Sequence, residues 1–245
     1  MLNRLGQSGS SKCLFPRGAP GGMDVVLLNT AGGVTGGDCF SITLNVAAGT
    51  TLTCTTQAFE RAYRAQPGET GTIDTQLNIE AGARIHWLPQ ETILFEGSAL
   101  RRRLRIDMAH GASLLMVEPL IFGRAAMGEV LGDVSFNDRI EIYRNQKPLY
   151  LDALNLSGDV TAHLNAPFIG DGAGAMASLV YVAADAEAHL DAIRALLPET
   201  AGASLIRDDV LVLRLLAQDS FALRQTLIPV LHRLNNDTLP RCWMI

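Results

Sequence analysis

A short pattern recurs three times in this chain and narrows its fold more than any other feature. Leu44 and Val46 precede Gly49 and Leu52; Leu77 and Ile79 precede Gly82 and Ile85; Leu104 and Ile106 precede Gly111 and Leu114, the last with two extra residues before its glycine. Apolar side chains at every second position send one row of a strand inward. The glycine supplies a positive φ that other residues resist, and a second strand follows. Copies spaced by roughly thirty residues predict strands stacked in layers, as in a solenoid. An ordinary antiparallel sandwich is the alternative, because three copies are few.

Longer apolar-rich strands are expected after each glycine, over 52–58, 85–95 and 114–122. Pro89 and Pro119 fall within the last two. Proline cannot donate to a ladder, so both predict bends or bulges. Residues 140–143 and 149–156 read as a hairpin turning near Asn145 and Gln146. The last third changes character. A strand over 177–183 is followed by helical spacing over 186–197, which stops at Pro198. Strands over 203–206 and 210–216 flank the turn Arg207-Asp208-Asp209, and an amphipathic helix over 220–234 is expected to kink at Pro229. The fold class is therefore mainly β in an α+β order: solenoid-like layered strands and a β-α-β-β-α C-terminal part. One domain is expected over 1–245, solenoid-like over 1–165, with strands and two helices over 166–245.

Composition excludes several functions. A net charge of −5 gives no basic face for nucleic acid. The run Arg101-Arg102-Arg103, with Arg105, reads as a solvated strand edge. No apolar run reaches the ~20 residues of a membrane helix. The polar start of the chain lacks a signal core, so a cytoplasmic location is expected. Cys13, Cys39, Cys54 and Cys242 form no C-x-x-C pair, which argues against a zinc knuckle or a redox motif. They read as small core residues.

The most unusual segment is Asn29-Thr30-Ala31-Gly32-Gly33-Val34-Thr35-Gly36-Gly37-Asp38. It has no Gly-Lys-Ser/Thr ending, so it is no phosphate loop. Its glycines predict close backbone approach or two sharp turns. This stretch resembles the signature of the UreD (UreH) urease accessory proteins. Further matches follow in order: Thr55 to Arg64 with Glu60 and Tyr63, Trp87 to Ile93, Phe122 to Glu129, Gly202 to Ser204, and Leu239 to Trp243. The resemblance runs from about Gln7 to the last residue. In two respects the chain departs from the family. It begins late, so an early strand or two is expected to be missing, and His86 stands where a carboxylate often precedes the tryptophan.

The resemblance implies a non-enzymatic scaffold with a helical β fold and two C-terminal helices. It implies the partners UreF, UreG and apo-urease, no nucleic acid or membrane partner, no tightly bound cofactor, and transient nickel passed through an internal tunnel. Carboxylates and water hold nickel loosely enough to release it, where Cys or His clusters would trap it. The candidates by motif position are Asp38, Glu60, Glu118 and Asp152, with Glu60 the looser transfer. Glu118 carries the strongest physical case. It sits in the apolar run Leu114 to Phe122, where a carboxylate requires a charge, hydrogen bonds or water. A wet channel would supply these, and so would a salt bridge to an arginine such as Arg124. Asp38 reads equally well as a turn cap. His86 and Glu91 fall on opposite faces of a strand and are not expected to pair as ligands. The remaining histidines, His110, His163, His189 and His232, read as surface or turn residues. Two other functions compete: a solenoid carbohydrate-active enzyme, which needs paired acids, and an interaction module without an ion path.

Overall fold

The structure, a computed structural model, describes residues 2–17, 22–236 and 238–244. Strands β1 (Ser11–Leu14) and β2 (Met23–Asn29) lead into three coils. The first is β3 (Cys39–Val46) and β4 (Thr51–Thr56), followed by the short β5 (Glu60–Ala62). The second is β6 (Gly71–Ile79) and β7 (Arg84–Leu88), followed by β8 (Thr92–Leu94). The third is β9 (Ala99–Met108) and β10 (Ser113–Phe122). In each coil the first strand joins a five-stranded sheet and the second joins a ten-stranded sheet. β3, β6 and β9 pair in parallel on one side, as do β4, β7 and β10 on the other. The expected stacked layers are therefore present. Gly49, Gly82 and Gly111 turn the chain between sheets at φ of 68°, 68° and 73°, which a side chain would resist.

A hairpin closes the smaller sheet. β11 (Val134–Arg144) runs parallel to β9 and antiparallel to β12 (Lys147–Gly158). Asn145 and Gln146 turn it, both with positive φ. A short helix α1 (Val160–Asn165), capped by the Asp159 carboxylate, leads to β13 (Ala175–Val182). Helix α2 (Ala186–Arg194), strands β14 (Ala201–Arg207) and β15 (Val210–Ala217), and helix α3 (Ser220–Leu234) complete the chain. β13, β15 and β14 extend the larger sheet antiparallel beyond β10. Along β10, Leu115, Val117 and Ile121 join a core with α2 and α3, whereas Leu114, Met116, Leu120 and Phe122 face the smaller sheet. The larger sheet is thus the middle of three layers.

Three expectations require correction. Helix α2 ends at Arg194, and residues 195–197 continue as tight turns, with Leu196 donating to Ile193 at 2.8 Å. Pro119 makes no bulge against β13: the register runs unbroken from Leu114↔Val182 to Ile121↔Ala175. On its other side β10 meets β7 only through Met116 and β8 only from Leu120. Pro119 thus lies beside a gap, where an N–H has no strand to meet. The break is in the neighbouring chain, between β7 and β8, where Pro89 lies. The cysteines also differ: Cys54 is core, but Cys39 is exposed and Cys13 and Cys242 are half-buried. Cys39 falls on the outward parity of β3.

Candidate functional site

The space between the two sheets holds two separate apolar clusters. One gathers Leu77, Leu104 and Ile106, Ile140 and Ile142, Leu114 and Met116, and Val180 and Val182. The other gathers Leu100, Phe136, Leu120, Phe122, Leu156 and Met176. The strands are continuous through both, so each must carry an inward residue where the clusters part. On β9 that residue is Arg102, on β11 Asp138, on β10 Glu118, and on β13 Ser178. A polar stratum therefore crosses an otherwise oily interior. Register builds it: Arg102 lies opposite Asp138 in one sheet, and Glu118, Ser178 and Arg214 line up in the other.

The stratum is held by one guanidinium between two carboxylates. Arg102 meets Glu118 across the sheets at 2.7 Å. It grips both oxygens of Asp138, at 3.0 and 2.6 Å, and donates to Thr92 Oγ1 at 3.2 Å. The Trp87 indole N–H donates to the second Glu118 oxygen at 2.7 Å. Arg102, Glu118 and Asp138 are only 7%, 5% and 6% exposed. Burial opposes the Arg102 charge, but Asp138 and then Glu118 outweigh it and push its pKa above the ordinary value. Burial pushes the Glu118 carboxyl up. Arg102 and Trp87 pull it down and Asp138 pushes it up again, leaving it above the usual carboxylate range. Burial is the main cause, and the second carboxylate, sharing one cation with Glu118, adds to it.

Two cavities flank this triad. The larger, about 380 Å³, is lined by Glu60, Thr92, Trp87, Arg102 and Glu118 among apolar neighbours such as Phe40 and Leu104. The smaller, about 10 Å³, is lined by Glu118, Asp138, Ser178, Asp152 and Arg214; it has room for about one water. Glu118 borders both. Beyond it Arg214 pairs with Asp152, whose carboxylate also accepts from the Tyr150 hydroxyl at 3.1 Å. Burial, then Asp152, pushes that tyrosine up to about 12.

The candidates from sequence are placed as follows. Glu60, Glu118 and Asp152 line the cavities. Glu60 accepts from the Asn29 amide at 3.2 Å and from the Arg61 backbone at 3.0 Å, and burial leaves its carboxyl raised. Asp38 lines neither cavity; its carboxylate accepts from the Thr35 backbone at 2.9 Å and caps the glycine turn. The glycines of that loop make both close approaches and turns: a Cβ on Gly33 would sit 2.2 Å from the Tyr63 ring, and Gly32 and Gly37 have positive φ. The loop holds Asn29, whose amide donates to Gly33 O as well as to Glu60.

The partner of Glu118 is Arg102, not Arg124, which pairs with Glu129 at 2.8 Å. The arginine run is not a uniform solvated edge either: Arg101 and Arg103 are exposed, but strand parity turns Arg102 inward between Leu100 and Leu104. Arg102, Asp138 and Arg214 are the site residues that sequence reasoning missed. For Arg102 the period-two pattern was the available signal. Among the described residues, no group of three or more His, Cys, Asp and Glu is disposed to hold a metal ion. His86 is buried, with Nδ1 3.5 Å from Thr53 Oγ1, and burial with the nearby Arg84 charge lowers its pKa to about 4.

Comparison with known proteins adds the following. The sequence model of a family described as "UreD urease accessory protein" matches residues 1–244. A urease accessory protein UreD of Ruegeria pomeroyi is 62% identical over 244 residues, covering all of this chain and 95% of the relative. Its counterpart in Roseobacter denitrificans is 53% identical, over all of this chain and 89% of the relative. That of Brucella suis is 41% identical, over all of this chain and 88% of the relative.

Proposed function

Because the chain belongs to the UreD family of urease accessory proteins, which serve the enzyme and are not the enzyme, we propose that it delivers nickel to apo-urease through the stratum between its sheets. The path runs from the Glu60 cavity past Glu118 to Asp152. The outer surface docks on UreF, UreG and apo-urease, in the cytoplasm. The observation that supports this reading is the polar layer itself. Burying charges between two apolar clusters costs several kcal/mol of desolvation unless something compensates it, and a better-packed apolar stratum would serve a pure scaffold as well. Carboxylates exchange nickel readily, as a conduit requires.

The chain is tested in the complex it is proposed to form. It is co-expressed with UreF, UreG and apo-urease, and both complex assembly and urease activation are measured. Glu118→Gln and Asp152→Asn are expected to leave assembly intact and to lower activation by roughly tenfold or more, since each removes a charged ligand from the path. Full activation in both variants, with assembly intact, would leave a docking platform and no conduit. Failure of the chain to bind any of the three partners would remove the reading altogether.

A further inference from the structure

The path just proposed is obstructed where it is narrowest, by a positive charge. Arg102 borders the larger cavity, Asp138 borders the smaller, and Glu118 borders both. The guanidinium bridges Glu118 and Asp138, the two carboxylates at the junction. From this geometry we infer that Arg102 is the gate and affinity-setting residue of the passage, a built-in cation that a divalent ion must displace. This inference rests on the conduit reading and specifies how that conduit is closed.

Size supports it. One water needs about 10–15 Å³ of cavity on this scale, so the six waters of a hydrated divalent ion need roughly 60–90 Å³. The larger cavity of about 380 Å³ accommodates that body, and the smaller of about 10 Å³ does not. An ion must therefore shed water at the junction, and the oxygens that replace water there are those of Glu118 and Asp138. Both are already occupied by Arg102. Charge supports it too. With the guanidinium seated, the triad carries one positive and two negative groups. A divalent cation seated between the two carboxylates would attract each with twice the charge of the guanidinium it displaces, whereas a monovalent cation would have no such advantage over Arg102. The exchange thus favours divalent ions. The displaced guanidinium has somewhere to go: it borders the larger cavity and already donates to Thr92 Oγ1 on the same wall. When the ion leaves, Arg102 reseats on the carboxylates and prevents them from trapping the next one.

The experiment titrates Ni²⁺ alone into the purified full-length chain, by calorimetry and by competition with a chromophoric chelator. Wild type is expected to bind weakly. Arg102→Gln is expected to bind roughly tenfold tighter or more, because the competing charge is gone. Arg102→Lys, which keeps a cation, is expected to fall between them. The triple variant Arg102→Gln/Glu118→Gln/Asp138→Asn is expected to return to weak binding. In the activation assay Arg102→Gln should slow delivery, because nickel is retained. If Arg102→Gln is unfolded without metal, Ni²⁺ should restore its fold and raise its Tm more than that of wild type. Failure of nickel to do so overturns the gate. Unchanged nickel affinity in Arg102→Gln overturns it, as does tightening that survives in the triple variant. Should activation fall in Glu118→Gln while Arg102→Gln matches wild type in both assays, the gate fails and the conduit stands. Full activation in both Glu118→Gln and Asp152→Asn, with assembly intact, removes both.

Discussion

Two arginines of this molecule each meet a buried carboxylate, in different surroundings. Arg102 sits between the sheets and serves two carboxylates beside open space. Arg224, on α3, grips both oxygens of Glu91, each at 2.7 Å, and also reaches Gln90. Ser220 completes Glu91 at 2.9 Å, and the rings of Phe59 and Trp243 lie 5.2 Å from the guanidinium. Glu91 is 0% exposed. Trp243 in turn donates to Leu88 O at 3.0 Å, so this pair ties the C-terminal segment to the break between β7 and β8. The Arg224–Glu91 pair is flanked by aromatic rings and lines neither cavity. The Arg102 triad is unbalanced and borders cavities on both sides. A buried ion pair is weak grounds for stability by itself; its surroundings separate a fastening from a functional group.

Removing one partner at each place sharpens the contrast. Glu91→Gln takes a fully buried carboxylate away from Arg224 and should cost about 3–5 kcal/mol in urea denaturation. A loss below about 1 kcal/mol would break the comparison, because exposed pairs behave that way. Another buried ionisable group, His86, lies against the Thr53 hydroxyl and provides a pH probe of the fold. Its folded pKa of about 4 lies below the ordinary 6.5. The unfolded chain therefore binds the extra proton between those values, and stability falls as pH drops from 6.5 to 4. The loss should be on the order of 3 kcal/mol. His86→Asn should flatten that part of the stability–pH curve, read from the denaturation midpoint. The smallest effect belongs to Glu118→Gln. Asp138 still neutralises Arg102, and only one donor, from Arg102 or Trp87, loses its acceptor, so roughly 1–2 kcal/mol is expected. A cost equal to that of Glu91→Gln would mean that the triad is as much a fastening as the other pair.

The coils were legible in the sequence because alternation and the turn glycines repeat together at Gly49, Gly82 and Gly111. The hairpin was legible from its strands on either side of Asn145 and Gln146, and α3 from the helical spacing of its apolar residues. Helix α1, with six residues, is too short for periodicity to register. The site was half legible. Glu118 was conspicuous as a charge in an apolar run, but its partner was not. Arg124 is near it in sequence, whereas Arg102 comes from the opposite sheet. Three adjacent arginines read as one charged face, and only strand parity separates Arg102 from its neighbours. Asp138 stands among polar residues on β11 and acquires meaning only through its register with Arg102.

The gap beside Pro119 has one more consequence. From Val117 to Pro119 the central strand has no ladder partner among the described residues on the β7–β8 side, and Glu118 lies in the middle of that stretch. Prying the wall apart there ruptures no main-chain bond, while a few residues away in either direction it would strip a parallel ladder. The sheet has a built-in slit, and what spans it is side-chain chemistry.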